Sequence, residues 1–279
     1  MRASFVRAGS WVVPGVLISM LGFVAACDRS SGGGGESNKK AEVPAAGVTP
    51  GESRAQSHER EADCKVLPTP EQLRQMLIEA PQTGGDAGGL FGGRKQWAAL
   101  VNRDGELCAI VVSTDDPAAS WPGSRNIAIA KASTANAFST DDKPMSTARL
   151  YTLTQPGHML WGAAAANPFN PLCSGSPRDN GKGNGKVCGG SIVFGGGLPL
   201  YKGGVRVGGL GSSGDTACTD HEISKRIRAK AGLEPPGGAG VDDITFSKAD
   251  GPTVFSHPLC PNTWRNGKRI GDEPPASGY

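Results

Sequence analysis

Cysteine and histidine are the side chains here that could hold a metal, and one glycine run could cradle a phosphate. The chain of 279 residues has seven cysteines and four histidines. His58, His158, His221 and His257 stand at no tight ligand spacing, and no H-E-x-x-H occurs. Cys218-x-x-His221 is half of a metal site. A disulfide cysteine beside a surface histidine is the expected reading, because His221 falls off the apolar stripe of its helix. C-x-x-C is absent, which leaves zinc knuckles and thioredoxin-type exchange without support, and C-x-x-C-H is absent too. Gly209-Leu210-Gly211-Ser212-Ser213-Gly214 spells the dinucleotide fingerprint G-x-G-x-x-G. The context fails, since Glu234 is followed by Pro235-Pro236-Gly237-Gly238, which no central strand tolerates. A tight turn and a helix start are the expected reason for these glycines. The run 175–182 lacks the Ser or Thr that a phosphate loop carries after its Lys, and no G-x-S-x-G occurs.

The remaining cysteine chemistry lies near the start. Arg2 and Arg7 precede an apolar run over 11–26 that holds Pro14, Gly15 and Gly22. That run is short of the ~20 residues a membrane-crossing helix needs, and fits a secretory signal. Val24-Ala25-Ala26-Cys27 resembles the lipobox of bacterial lipoproteins, in which the thiol accepts diacylglycerol and the cysteine begins the mature chain. The resemblance implies a signal over 1–26, lipid on Cys27, and an exported protein anchored in a membrane and facing the periplasm or the exterior. Lipid with more than one acyl chain makes such an anchor effectively permanent. The six other cysteines fit an oxidising compartment, where they allow fifteen pairings. Cys173–Cys188 is favoured because it closes a Gly- and Asn-rich loop, for ~3 kcal/mol in the chain-entropy account. Cys64–Cys108 and Cys218–Cys260 then follow by elimination and topology. Loss of Arg2 and Arg7 with the signal takes the net charge from +3 to +1. A surface so nearly neutral argues against nucleic acid as a partner.

The elements that must position these residues are legible in part. Residues 27–63 are polar and rich in Gly, Ser and Pro, a flexible tether with a reach of roughly 30–35 Å. A single domain is expected over 64–279. Thr69-Pro70-Glu71 starts a helix that ends before Pro81. Strands over 97–102 and 107–113 flank an Asp104-Gly105 turn, a hairpin signal. Residues 124–138 read as an Ala-rich helix, 144–154 as a second short helix, and 158–166 as a further turn or two. The Cys-bracketed stretch 167–190 reads as loop. Strands follow over 192–201 and 205–210, then a helix over 215–231 with Ile223, Ile227 and Ala231 as its stripe and Gly232 as its stop. The extension 234–279 reads as loop-rich, with one strand at 244–246. Strand pairs separated by helices give an α+β class with an antiparallel sheet.

Three ordered motifs carry a wider resemblance. Ala130-Lys131-Ala132-Ser133-Thr134-Ala135 comes first, then Gly195-Gly196-Gly197-Leu198-Pro199-Leu200. Val207-Gly208-Gly209-Leu210-Gly211-Ser212-Ser213-Gly214-Asp215, followed by Asp220-His221, completes the set. Together, over 66–233, they resemble the GlcG/HbpS haem-binding family. The long Cys173–Cys188 loop, the C-terminal extension and Pro156-Gly157-His158 depart from it. The resemblance implies a profilin-like three-layer α/β/α sandwich with a five-stranded antiparallel sheet, often in homo-oligomers. It also implies noncovalent, b-type haem, held for capture, buffering or sensing. Oxidative haem degradation at the same place is the enzymatic alternative, and a cofactor-free module that binds a protein partner is the structural one. A porphyrin needs a flat apolar slot and a ligand to its iron. The Ala-rich helix could admit a ring, although close packing on a sheet is the commoner reason for Ala on a helix. The candidate ligands near it are His158, Met145, Ser146, Thr147, Tyr151 and Met159, with His158 the best donor.

Overall fold

A computed structural model describes residues 64–274 of the chain. The expected signal over 1–26, Cys27 and the expected tether lie outside the described residues. Helix α1 (Pro70–Glu79) opens with a capping box, in which the Thr69 hydroxyl accepts from the Gln72 N–H and the Gln72 side chain accepts from the Thr69 N–H. Strands β1 (Trp97–Asn102) and β2 (Leu107–Val112) form the expected hairpin, turning at Gly105 with φ +88°. Helix α2 (Ser124–Ala137) follows. A short α3 (Ala163–Ala166) precedes β3 (Gly181–Lys182), β4 (Gly197–Lys202), β5 (Val205–Ser213) and α4 (Ala217–Ala231). The extension adds β6 (Thr245–Phe246) pairing in parallel with β7 (Ser256–His257), and a hairpin of β8 (Thr263–Arg265) with β9 (Lys268–Gly271).

The main sheet is five-stranded, wholly antiparallel, and ordered β3-β2-β1-β5-β4. Alternation along β1 gives it two apolar faces. Ala98 and Leu100 join Leu73 and Leu77 of α1 and Ile223 and Ile227 of α4 in one core. Trp97, Ala99 and Val101 join Ala128, Ile129 and Ala132 of α2 in another. Two helices therefore cover one face and α2 the other, which is the three-layer sandwich. A third cluster ties the extension to the body through Ala148, Ile244, Phe246 and the Cys218–Cys260 disulfide. Cys64–Cys108 and Cys173–Cys188 are the other two disulfides.

Two glycines of the apparent fingerprint, Gly209 and Gly211, are strand residues, which corrects the tight-turn expectation for them, while Gly214 lies in the bend between β5 and α4. Gly209 and Gly211 lie in β5 directly under α2. A Cβ on them would fall 2.2 Å from the Ala132 carbonyl oxygen and 2.1 Å from that of Ala128. Their absent side chains let the helix lie close on the sheet. At the end of β5, the Asp215 carboxylate accepts from the N–H groups of Leu90, Phe91 and Gly93 at 2.6, 2.9 and 3.0 Å, tying the 86–95 loop to the start of α4.

Other expectations need correction. The helix over 144–154 is two 3₁₀ turns, Thr147–Leu150 and Thr152–Thr154, because threonine hydroxyls compete for the backbone. The Thr154 hydroxyl donates to the Leu150 and Tyr151 carbonyls. Helix over 158–166 shrinks to α3, broken by Gly157 and Gly162 at φ +86° and +84°. The strand over 192–201 begins only at Gly197, while β5 runs three residues further than expected, to Ser213. The Cys-closed loop contributes the fifth strand, β3, paired to Ala109 and Ile110 at the edge of the sheet. His221 is buried, not on the surface. Its Nε2 accepts from the Ile244 N–H at 3.2 Å and lies 3.3 Å from Asp243, and burial holds its imidazole below the ordinary range.

Candidate functional site

Helix α2 turns opposite stripes to the sheet and to the outside. Ala128, Ala132 and Ala135 are buried inward, while Ile127, Ala130, Ser133 and Ala137 recur on the other side at helical spacing. The inward alanines pack on the sheet, and Ala130 lines a groove. The first part of that groove, about 360 Å³, is walled by Ile127 and Ala130 with Ala164, Pro168, Phe169 and Ile192, and rimmed by Asn126, Asn167 and Ser191. This is an apolar slot at the lower end of the range for small-ligand sites. Asn167 holds its wall by donating to the Gly190 carbonyl at 2.9 Å.

Asn167 also borders a second cleft of about 290 Å³, further along α2. Ser133, Asn136 and Ala137 form its floor, with Arg103, Asp104 and Gly105 of the β1–β2 turn, Val187, and Arg206 of β5 around it. The two clefts thus run end to end along one helix, apolar first and cationic second. Arg103 is answered by Asp141, which accepts from both of its terminal nitrogens at 2.9 and 3.2 Å. Arg206 makes no ion pair among the described residues. It donates to the Arg103 carbonyl at 3.2 Å and to the Asn136 side-chain oxygen, and its Nε is buried without an acceptor. Burial, and after it the charge of Arg103, holds the Arg206 guanidinium below its ordinary value. The Ser133 hydroxyl is likewise buried without a partner, in a residue only 5% exposed.

The expected iron ligands do not converge. Thr147 is fully buried, and its hydroxyl is occupied, donating to the Phe194 carbonyl at 2.6 Å and accepting from the Gly197 N–H at 2.8 Å. Ser146 is buried too, and Met145 is half-buried with its N–H on the Ser139 hydroxyl. Tyr151 packs its ring 5.1 Å from that of His257. His158 is exposed and Met159 is 84% exposed, in turns that lead into α3 and so toward Ala164 of the groove wall. No His, Cys, Met or Tyr lines either cleft.

Donor atoms of Cys218, His257 and Cys260 lie within 4.8 Å of one another. Both sulfurs are spent in the disulfide, and the His257 nitrogens are engaged by the Gly195 N–H and the Pro258 carbonyl. The cluster is a structural joint, and His257, not His221, is the histidine beside the disulfide.

Comparison with known proteins settles the family. A family model described as haem degrading protein HbpS-like matches residues 92–229, which include β1, α2, β4, β5 and nearly all of α4. Residues 92–229 are thus a domain of the GlcG/HbpS family. The groove of the HbpS-like domain is built on α2, wholly inside the matched residues. Among solved structures the chain is similar to a PduOC:heme complex, at 24% identity and a TM-score of 0.40, over 57% of this chain and 88% of that one. It is also similar to Klebsiella pneumoniae protein ORFY of family DUF336, at 20% and 0.40, over 58% and 86%. HbpS follows at 18% and 0.34, over 58% and 89%. No curated protein matches the chain. Sequence reasoning reached the family through Ala130–Ala135 and β5, yet missed Ser133, Asn167 and Arg206 as lining residues. Only the outward stripe of α2, read at helical spacing, could have pointed to Ser133.

Proposed function

We propose that this chain is an exported, lipid-anchored haem-binding protein whose groove along α2 holds b-type haem without a covalent bond. The observation that carries the reading is the groove's division into an apolar slot and a cationic end with two buried donors that lack acceptors. A porphyrin has the matching division, a flat apolar ring with carboxylate arms. Ile127, Ala130, Phe169 and Ile192 would hold the ring, and haem when bound would supply its iron. His158 would hold the iron, with Met159 beside it, because both stand just ahead of the groove wall and are exposed. Met145, Thr147 and Tyr151 have other surroundings and are weaker candidates.

The test is titration of the purified chain with hemin, read in the Soret band. A saturable shift at micromolar protein is expected. Ile127→Glu, which puts a carboxylate into the half-exposed slot, weakens it at least about tenfold, and Val254→Glu on the exposed extension leaves it unchanged. Absence of a saturable shift would contradict the reading and favour a cofactor-free, partner-binding module. The family's description favours one alternative, oxidative haem degradation in the same groove. It predicts that the bound band bleaches with peroxide or reductant and releases iron, whereas storage or sensing predicts a stable band.

The compartment rests on V-A-A-C at 24–27 and on six paired cysteines. Cys27→Ser should move the protein out of the membrane fraction; unchanged fractionation would remove the anchor. Among the described residues no helix is long and apolar enough to cross a membrane. A homo-oligomer remains part of the proposal, supported by the exposed Met159, Trp161 and Leu172 side chains.

A further inference from the structure

We infer that the cationic end of the groove is a carboxylate subsite, formed by Arg206 and Ser133, that reads the acid arm of a planar apolar ligand. The inference rests on the haem reading and adds which part of the ligand is recognised. Two buried donors without acceptors stand in one cleft, the Arg206 Nε and the Ser133 hydroxyl. Such groups are rare in folded proteins, because each forfeits its hydration without regaining a hydrogen bond. A carboxylate supplies acceptors to both and a charge to the guanidinium. Arg103 cannot take this role, since Asp141 occupies both of its terminal nitrogens. Arg206 is held in place by the Arg103 carbonyl and the Asn136 side chain, so its remaining edge is pre-oriented. The cleft's own acid, Asp104, is exposed at the hairpin tip, where water screens it. Ser133 lies one helical turn beyond Ala130, about 4.5 Å along the axis of α2. A ring lying on Ala130 therefore reaches this subsite with a short acid arm.

The subsite makes the protein discriminate between hemin and hemin dimethyl ester, which share ring and iron and differ in the carboxylates. Both are titrated into the chain in the same buffer, read by Soret shift and by quenching of tryptophan fluorescence. The ester should bind at least about tenfold more weakly than hemin to the unmutated chain. Arg206→Gln should weaken hemin by a similar factor and leave the ester unchanged, and Ser133→Ala should do the same to a smaller degree. Equal affinity for hemin and ester on the unmutated chain, with Ile127→Glu still weakening both, would overturn the subsite and leave the groove standing. No saturable binding of either would overturn the haem reading and the subsite with it. The ester comparison needs no variant to fold.

Discussion

At the residue scale the sandwich is unusual for the polar groups it buries. Lys131 and Asp220 pair at 2.7 Å between α2 and α4, both out of solvent, and Gln96 and the Asp215 N–H also donate to that carboxylate. Burial nevertheless pushes the Asp220 carboxyl up to about 6. His257 sits beside the Cys218–Cys260 joint, and burial holds its imidazole down to about 4. An imidazole in the unfolded chain titrates near ~6.5. Between those values the unfolded chain binds more protons than the folded one. The His257 contribution is therefore present above pH ~6.5 and is lost as pH falls toward 4, about 3 kcal/mol in all. Asp220 has the opposite sign over nearly the same window, so the difference between two proteins isolates His257. Urea midpoints of the wild type and of His257→Gln, which keeps an acceptor for the Gly195 N–H, should converge as pH falls from 6.5 to 4. A gap that stays constant would show that His257 does not titrate in this way. None of these roles was legible in the sequence. His221 read there as a surface histidine beside a disulfide cysteine and His257 as an isolated one, because their partners are supplied by distant segments, Ile244 and Gly195.

At the scale of elements, legibility followed local chemistry. Helix α1 has its capping box, α4 its stop at Gly232 with φ +66°, and the first hairpin its Asp-Gly turn, so each was readable within a few residues. Strand β3 carries no such signal. It is two residues in a glycine-rich loop, and pairing with β2 alone makes it a strand. The groove was half legible. Ala130 announced a thin helix face, but the cationic end depends on register: β1 pairs with β5 so that Asn102 faces Gly208, and this brings the turn at Arg103 beside Arg206. The glycines of β5 are what let α2 lie where it lines the groove. Gly211→Ala should cost about 1–3 kcal/mol in urea unfolding, since its Cβ would meet the Ala128 carbonyl oxygen. Gly123→Ala, at the start of α2 with φ −63° and nothing within 4 Å, should change stability by less than about 1 kcal/mol. Equal effects would mean that close packing is not the reason for the β5 glycines.

At the scale of the whole molecule, the three layers divide the work. Helices α1 and α4, the extension and two of the disulfides hold one face shut, while α2, with the Cys173–Cys188 disulfide beside it, covers the other face and lines the groove with its outer stripe. The third disulfide, Cys173–Cys188, closes the loop whose flanks at Phe169 and Gly190 border the groove, so crosslinking and ligand wall are coupled in one segment. The family was readable in the sequence, since its motifs are the packing glycines of β5 and the thin helix that rests on them. The most direct measurement is the placement of hemin by paramagnetic broadening of backbone amide NMR signals, with zinc protoporphyrin as the diamagnetic control. Broadening should centre on 126–137, 167–169 and 189–192. Broadening centred on α1 and α4, with those segments untouched, would contradict the account.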